Sequence, residues 1–181
     1  MGRVARRGGP PFGYNGPAPR SARVDRNQRR TFVSAHTLLL AEDSPEDTDL
    51  ILAALAPLAP AESVVRCADG VAALDYFLAR GAHAGRNVDD QPRIALLDLN
   101  LPKISGLEVL RELRENPLTR LLPVVILSAS TEQRDVRAAA LLGANSYVRK
   151  PLDYGRLRDT VALLGRYWLD LNVPPPPASP A

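Results

Sequence analysis

Four short fragments carry side chains that could do chemistry together: Ala41-Glu42-Asp43-Ser44, Leu97-Asp98-Leu99-Asn100-Leu101-Pro102, Ile126-Leu127-Ser128-Ala129 and Tyr147-Val148-Arg149-Lys150-Pro151. Each lies at or just past the end of an apolar run. In an open parallel α/β sheet the carboxyl ends of the strands converge on one crevice. Glu42, Asp43, Asp98, the Ser128 hydroxyl and the Lys150 ammonium are therefore expected in one small pocket. That set suits transfer of a phosphoryl group onto a carboxylate with a divalent metal. A carboxylate is a weak nucleophile, so the phosphoryl group and its metal must be held in line with it.

The elements that must position these groups follow from local patterns. Thr37 to Ala41 reads as a short buried strand. Asp43-Ser44-Pro45 starts a helix, with Glu46, Asp47 and Asp49 in its first turn, and the helix stops near Pro57. Ser63 to Cys67 is a second strand, and Asp69-Gly70 opens a helix ending at Arg80-Gly81. A polar loop, Ala82 to Gln91, leads to strand Ile94 to Asp98. Gly106 opens a helix that stops at Asn116-Pro117. Val124 to Ser128 is the fourth strand. Thr131 caps a helix to Leu142 with Gly143 at its end. Ser146 to Val148 is the last strand, and Asp153 caps a helix reaching about Leu171. Val, Ile and Leu runs without polar alternation predict a parallel sheet buried on both faces. The expected fold is α/β: a doubly wound (βα)5 flavodoxin-like sandwich whose five parallel strands run in the order 2-1-3-4-5.

Composition bounds the rest. Residues 1–36 hold eight arginines against Asp25, a charge of +7, whereas the remainder holds 15 basic and 19 acidic residues. The globular part is thus mildly acidic and is not a basic nucleic-acid-binding domain. Residues 1–36 read as a disordered Arg/Gly/Pro-rich extension. It is either an incidental extension or an arm that touches an acidic partner. Residues 37–172 form the domain and 173–181 a Pro-rich tail. No run approaches the roughly 18 apolar residues of a membrane span, and Cys67 is the single cysteine. The default reading is a cytoplasmic protein without an internal disulfide. Lys103 and Lys150 are the two lysines against 21 arginines. That bias suggests an amine is specifically wanted at 150, where a planar guanidinium would not fit a tight crevice. Lys103 is expected to face solvent, and Cys67 to be a small buried hydrophobe.

The stretch from Thr37 to about Leu171 resembles the receiver domain of two-component response regulators. Leu96 to Pro102 with Ser105-Gly106, and Tyr147 to Pro151, carry that resemblance. More narrowly it resembles the small single-domain regulators paired with phytochrome histidine kinases, through Ala41 to Ser44, Asp98 to Lys103 and Tyr167-Trp168-Leu169. The resemblance implies that Asp98 is the phosphoacceptor. Asp43, Asp98 and the backbone carbonyl of Asn100 would ligate Mg2+, with Glu42 acting through water. Ser128 would donate to a phosphoryl oxygen, and Lys150 would pair with one. Pro151 implies a cis bond that aims the lysine inward, and Tyr147 is the switch aromatic. Asn100 and Ser130 would lie beside the line of attacking water.

The implied partner is a sensor histidine kinase, a bacterial phytochrome in the narrower match. Neither a DNA-binding domain nor membrane attachment is expected. The implied role is a phosphoacceptor that assists its own phosphorylation and dephosphorylation rather than an enzyme. A phosphate sink, a phosphorelay intermediate and a non-phosphorylated interaction module are the alternatives. An aspartyl-phosphate phosphatase of the haloacid dehalogenase type is disfavoured, because Asn100 stands where its second aspartate would be. Leu157, Val161, Leu164, Trp168 and Leu171 follow heptad-like steps on the last helix. An exposed Tyr167-Trp168-Leu169 end would predict a homodimer through this helix and the C-terminal extension. The alternative is that Trp168 folds back onto its own domain.

Overall fold

Aliphatic side chains buried on both faces make the sheet. Strands β1 (Leu38–Ala41), β3 (Ile94–Leu97) and β4 (Val124–Ser128) are buried at every position, as a helix-covered parallel sheet requires. The edge strands β2 (Val64–Cys67) and β5 (Ser146–Arg149) expose Arg66 and Arg149. All pairings are parallel, in the expected order β2-β1-β3-β4-β5. The computed structural model describes residues 38–175. The extension expected over 1–36 and residues 176–181 of the tail lie outside them.

Strand side chains alternate between faces, and the two cores follow that alternation. Leu39, Ala41, Ala95, Leu97, Val124 and Ile126 pack under α2 (Gly70–Phe77), α3 (Gly106–Glu115) and α4 (Gln133–Leu141). Leu38, Leu40, Ile94, Leu96, Val125 and Leu127 pack under α1 (Pro45–Leu55) and α5 (Tyr154–Gly165). The helices start where the sequence signals. Ser44 caps α1 with Pro45 behind it, Asp69 caps α2, and Asp153 caps α5. Ser105 and Glu108 close a reciprocal capping box on α3. Gly143 ends α4 in the left-handed region at φ 84°.

The structure corrects several expectations. Thr131 does not cap α4. Glu132 occupies the cap position without a side-chain bond, and Ser130 Oγ accepts from the Glu132 N–H instead. The second helix ends at Phe77, short of Arg80-Gly81. No peptide bond among the described residues is cis, so Lys150–Pro151 is trans.

Trp168 is not exposed. It retains 9% of its surface and sits with Leu38, Leu55, Ile94 and Leu96. The last helix stays on the sheet because Gly165 lets it approach α1. A side chain there would press on Leu55 and Leu58. Beyond Gly165 the chain widens into a π-helical segment, Arg166–Leu171, closed by the Asn172 N–H on the Tyr167 carbonyl. The widened winding buries Trp168 and Leu169 side by side. It carries Leu171 off the inward face to which the heptad step assigns it.

Candidate phosphoacceptor pocket

Backbone ladder bonds run one residue past the strands and fix the pocket's main chain. The Glu42 N–H donates to the Cys67 carbonyl at 3.0 Å and the Asp98 N–H to the Ala41 carbonyl at 2.9 Å. The Lys150 N–H donates to the Ser128 carbonyl at 2.7 Å. Glu42, Asp98 and Lys150 are thus seated by the sheet itself, and this ladder aims the lysine inward across a trans bond. Gly106 matters for the same reason. Its N–H donates to the Leu99 carbonyl at 3.0 Å, and a Cβ there would collide with the Asp98 carbonyl oxygen. Only glycine allows α3 to start this close under the Asp98 turn.

The side chains of Glu42, Asp43, Asp98 and Lys150 come together. Carboxylate oxygens of Glu42, Asp43 and Asp98 lie within 4.8 Å of one another. Glu42 and Lys150 are buried, Asp98 keeps 9% of its surface, and Asp43 is exposed at the rim. Lys150 Nζ donates to Glu42 Oε2 at 2.6 Å and to Asp98 Oδ2 at 3.2 Å. The Ser44 N–H holds the other Glu42 oxygen at 3.2 Å. The Asn100 N–H reaches Asp98 Oδ1 at 3.4 Å. Ser128, whose carbonyl seats Lys150, is fully buried at the end of β4, its hydroxyl accepting from the Ser130 N–H at 3.2 Å.

One partner escaped the sequence reading. Asp47 Oδ2 accepts from Lys150 Nζ at 3.0 Å. Its signal was present but ambiguous, since an acid in a first helical turn is favoured by the dipole alone.

Tyr147 is half-buried against the core under α4, and its hydroxyl donates to the Ser130 carbonyl at 3.0 Å. Ser130 Oγ in turn donates to Asp135 Oδ2 at 2.6 Å. The loop between β4 and α4 is therefore tied from β5, from α4 and from Ser128. Lys103 is exposed as expected, yet it is paired with Asp69 at 2.6 Å and has a left-handed backbone, φ 67°. The Lys103 pair, followed by the Ala72 N–H, holds the Asp69 carboxyl below its usual range.

Burial pushes the Glu42 carboxyl up, partly opposed by the hydrogen bond and charge of Lys150. For Lys150, burial works against the ammonium, but Glu42, Asp98 and Asp47 outweigh it and hold the group above its ordinary value. The lysine is therefore charged, and its ammonium is shared by three carboxylates, with Asp43 beside Glu42 and Asp98 as a fourth. Glu42, Asp43 and Asp98 form a cluster of hard oxygen donors whose negative charge that ammonium does not cancel. The donor set fits Mg2+ or a similar hard cation. The cluster that could hold a cation among the described residues, Glu42, Asp43 and Asp98, contains no histidine or cysteine. Cys67 lies buried and free behind the pocket, its thiol pushed up to about 12 by burial and then by Asp69.

Comparison with known proteins places this geometry. Residues 38–162 match the family described as response regulator receiver domain. A probable methanogenesis regulatory protein, FilR2 of Methanothrix harundinacea, is 41% identical over 142 residues, covering 78% of this chain and 88% of the relative. Response regulator Rcp1 of Synechocystis is 34% identical over 133 residues, covering 74% and 88%. Its Mn2+-bound crystal structure superposes with TM-score 0.70 at 33% identity, over 76% of this chain and 97% of that one. The phosphorylated cyanobacterial phytochrome response regulator RcpA superposes with TM-score 0.72 at 35% identity, over 78% and 99%.

Proposed function

This chain belongs to the response regulator receiver domain family, and we propose that it is a phosphorylation-driven signalling switch that accepts a phosphoryl group on Asp98 with Mg2+. The observation that carries this reading is the meeting of Glu42, Asp43 and Asp98 within 4.8 Å with Lys150 Nζ 3.2 Å from Asp98 Oδ2. The donor is a phosphohistidine of a sensor kinase. An Asp98 carboxylate oxygen forms the new bond to phosphorus. The P–N bond breaks, and its electron pair stays on the imidazole nitrogen. The Lys150 ammonium, already at Asp98, pairs with a phosphoryl oxygen, and the buried Ser128 hydroxyl donates to another. Glu42, Asp43, Asp98 and the Asn100 backbone carbonyl would hold Mg2+, which neutralises charge on the transferring oxygens.

The added charge of about −2 reaches the surface through the β4–α4 loop. Ser128 gives up its contact with the Ser130 N–H, and Tyr147, now bonded to the Ser130 carbonyl, follows. The likeness to RcpA, a phytochrome response regulator, supports a phytochrome as the cognate kinase. Self-association through the last helix is carried by Leu163, Tyr167 and Leu171, spaced four residues apart and 69%, 51% and 69% exposed. No helix among the described residues is long and apolar enough to cross a membrane, and the proposed setting is the cytoplasm.

The test is labelling with a small-molecule phosphodonor and Mg2+, followed by transfer from the source organism's histidine kinases. Wild type is expected to acquire a hydroxylamine-sensitive acyl phosphate, and Asp98→Asn to acquire none. Equal labelling of both would overturn the assignment.

A further inference from the structure

Lys150 is held by three carboxylates, and two of them have a second task. An ammonium carries three N–H donors. Here they serve Glu42 at 2.6 Å, Asp47 at 3.0 Å and Asp98 at 3.2 Å. Glu42 and Asp98 also belong to the oxygen cluster with Asp43, whereas Asp47 does not. A cation entering that cluster would draw on the same Glu42 and Asp98 carboxylates and repel the ammonium. Asp47 stands on the first turn of α1, partly exposed. It is the one partner of Lys150 that a cation leaves free.

We infer that Asp47 is a positioning residue, the carboxylate on which the Lys150 ammonium rests once Glu42 and Asp98 turn to the cation. The inference builds on the reading of the cluster as a cation site. It gives Asp47 two effects. The ammonium stops competing for the cation's donors, and it stays at the pocket's edge, within reach of a phosphoryl oxygen. Without Asp47 the lysine can satisfy itself only on Glu42 and Asp98, against the cation. Asp47 therefore strengthens cation binding through Lys150.

A four-protein cycle separates this from plain electrostatics. Mn2+ affinity is measured by electron paramagnetic resonance for wild type, Asp47→Asn, Lys150→Ala and the double variant, with thermal unfolding confirming that each is folded. Asp47→Asn is expected to weaken Mn2+ binding about five- to tenfold, the size of an ordinary net hydrogen bond, since Asp47 is partly exposed. In the Lys150→Ala background the same change is expected to cost little. Asp47→Glu, which keeps the charge, is expected to restore most of the affinity and serves as the deciding variant should Lys150→Ala not fold. Unchanged affinity in Asp47→Asn would overturn the inference. So would an equal loss in both backgrounds, or an Asp47→Glu variant as weak as Asp47→Asn. A wild type that binds no Mn2+ would remove the cation reading and this inference with it. The labelling of Asp98 is read independently of all these outcomes.

Discussion

Replacing Trp168 by alanine tests where the aromatic end of the last helix belongs. A large aromatic buries about 150–250 Å2, which at about 25 cal/mol per Å2 corresponds to about 4–6 kcal/mol of transfer free energy. Trp168 keeps 9% of its surface and packs at the end of the sheet beside Leu38 and Ile94, where the widened Arg166–Leu171 segment can partly collapse into the gap. The expected loss is therefore about 3–4 kcal/mol, in the lower half of the range for Trp→Ala in a core. For a domain of this size that lowers the midpoint of thermal unfolding by about 10 °C. The assay is urea unfolding followed by circular dichroism, with sedimentation velocity at the same protein concentration. The fold is expected to weaken and the sedimentation profile to stay as in wild type, because Tyr167 and Leu171, not Trp168, face outward. A loss below about 1 kcal/mol with weakened self-association would refute the reasoning and put Trp168 at an interface.

Two further outcomes follow from the packing around the pocket. Gly106→Ala drives a methyl group into the Asp98 carbonyl oxygen. It is expected to cost about 1–3 kcal/mol, as overpacking does, and to slow labelling of Asp98, both checked on one preparation by unfolding and phosphodonor kinetics. Cys67 has an ordinary value of 9.0 raised to about 12 in the fold. Below about pH 9 both folded and unfolded chains keep the proton; above it the unfolded chain ionises first, so stability falls with rising pH by about 1.4 kcal/mol per unit until about pH 12. Between pH 8.5 and 10.5 wild type is expected to lose about 2 kcal/mol more than Cys67→Ala, measured by urea unfolding; parallel profiles would refute the shift.

The sheet order and the pocket were legible because both rest on strand ends. Short aliphatic runs between helix-start signals give only parallel strands and crossovers, and the first polar residue after each run falls in the crevice. Glu42, Asp98 and Lys150 meet there because ladder bonds continue through them. Asp47 was not legible. Glu46, Asp47 and Asp49 are equivalent to a dipole argument, and only the phase of α1 against β5 selects the one that reaches Lys150. The Thr131 cap failed for a related reason. Ser130 ties the loop to the Glu132 N–H and to Asp135, and the helix starts one residue later, so that Glu132 and not Thr131 stands at the cap position. For Trp168 the seven-residue step from Val161 already pointed inward. The exposed reading gave weight to chain position over phase, and the Gly165 contact with Leu55 decides for phase.

Where local rules fail in this fold, they fail together. Every other position on β1, β3 and β4 is aliphatic or small, yet Glu42, Asp98, Ser128 and Lys150 are buried at the carboxyl ends of the sheet. Burying charge is costly even when it is paired, and apolar packing at such sites is often as stable or more so. Stability therefore does not account for an ammonium shared among three acids. On the proposed function, what accounts for it is a ligand that rearranges the set, with Glu42, Asp98 and Lys150 on backbone that the ladder bonds hold in place. Under that proposal the sheet fixes the main chain and the same pocket would hold two states, one with the lysine on carboxylates, as the structure has it, and one with it on a phosphoryl oxygen.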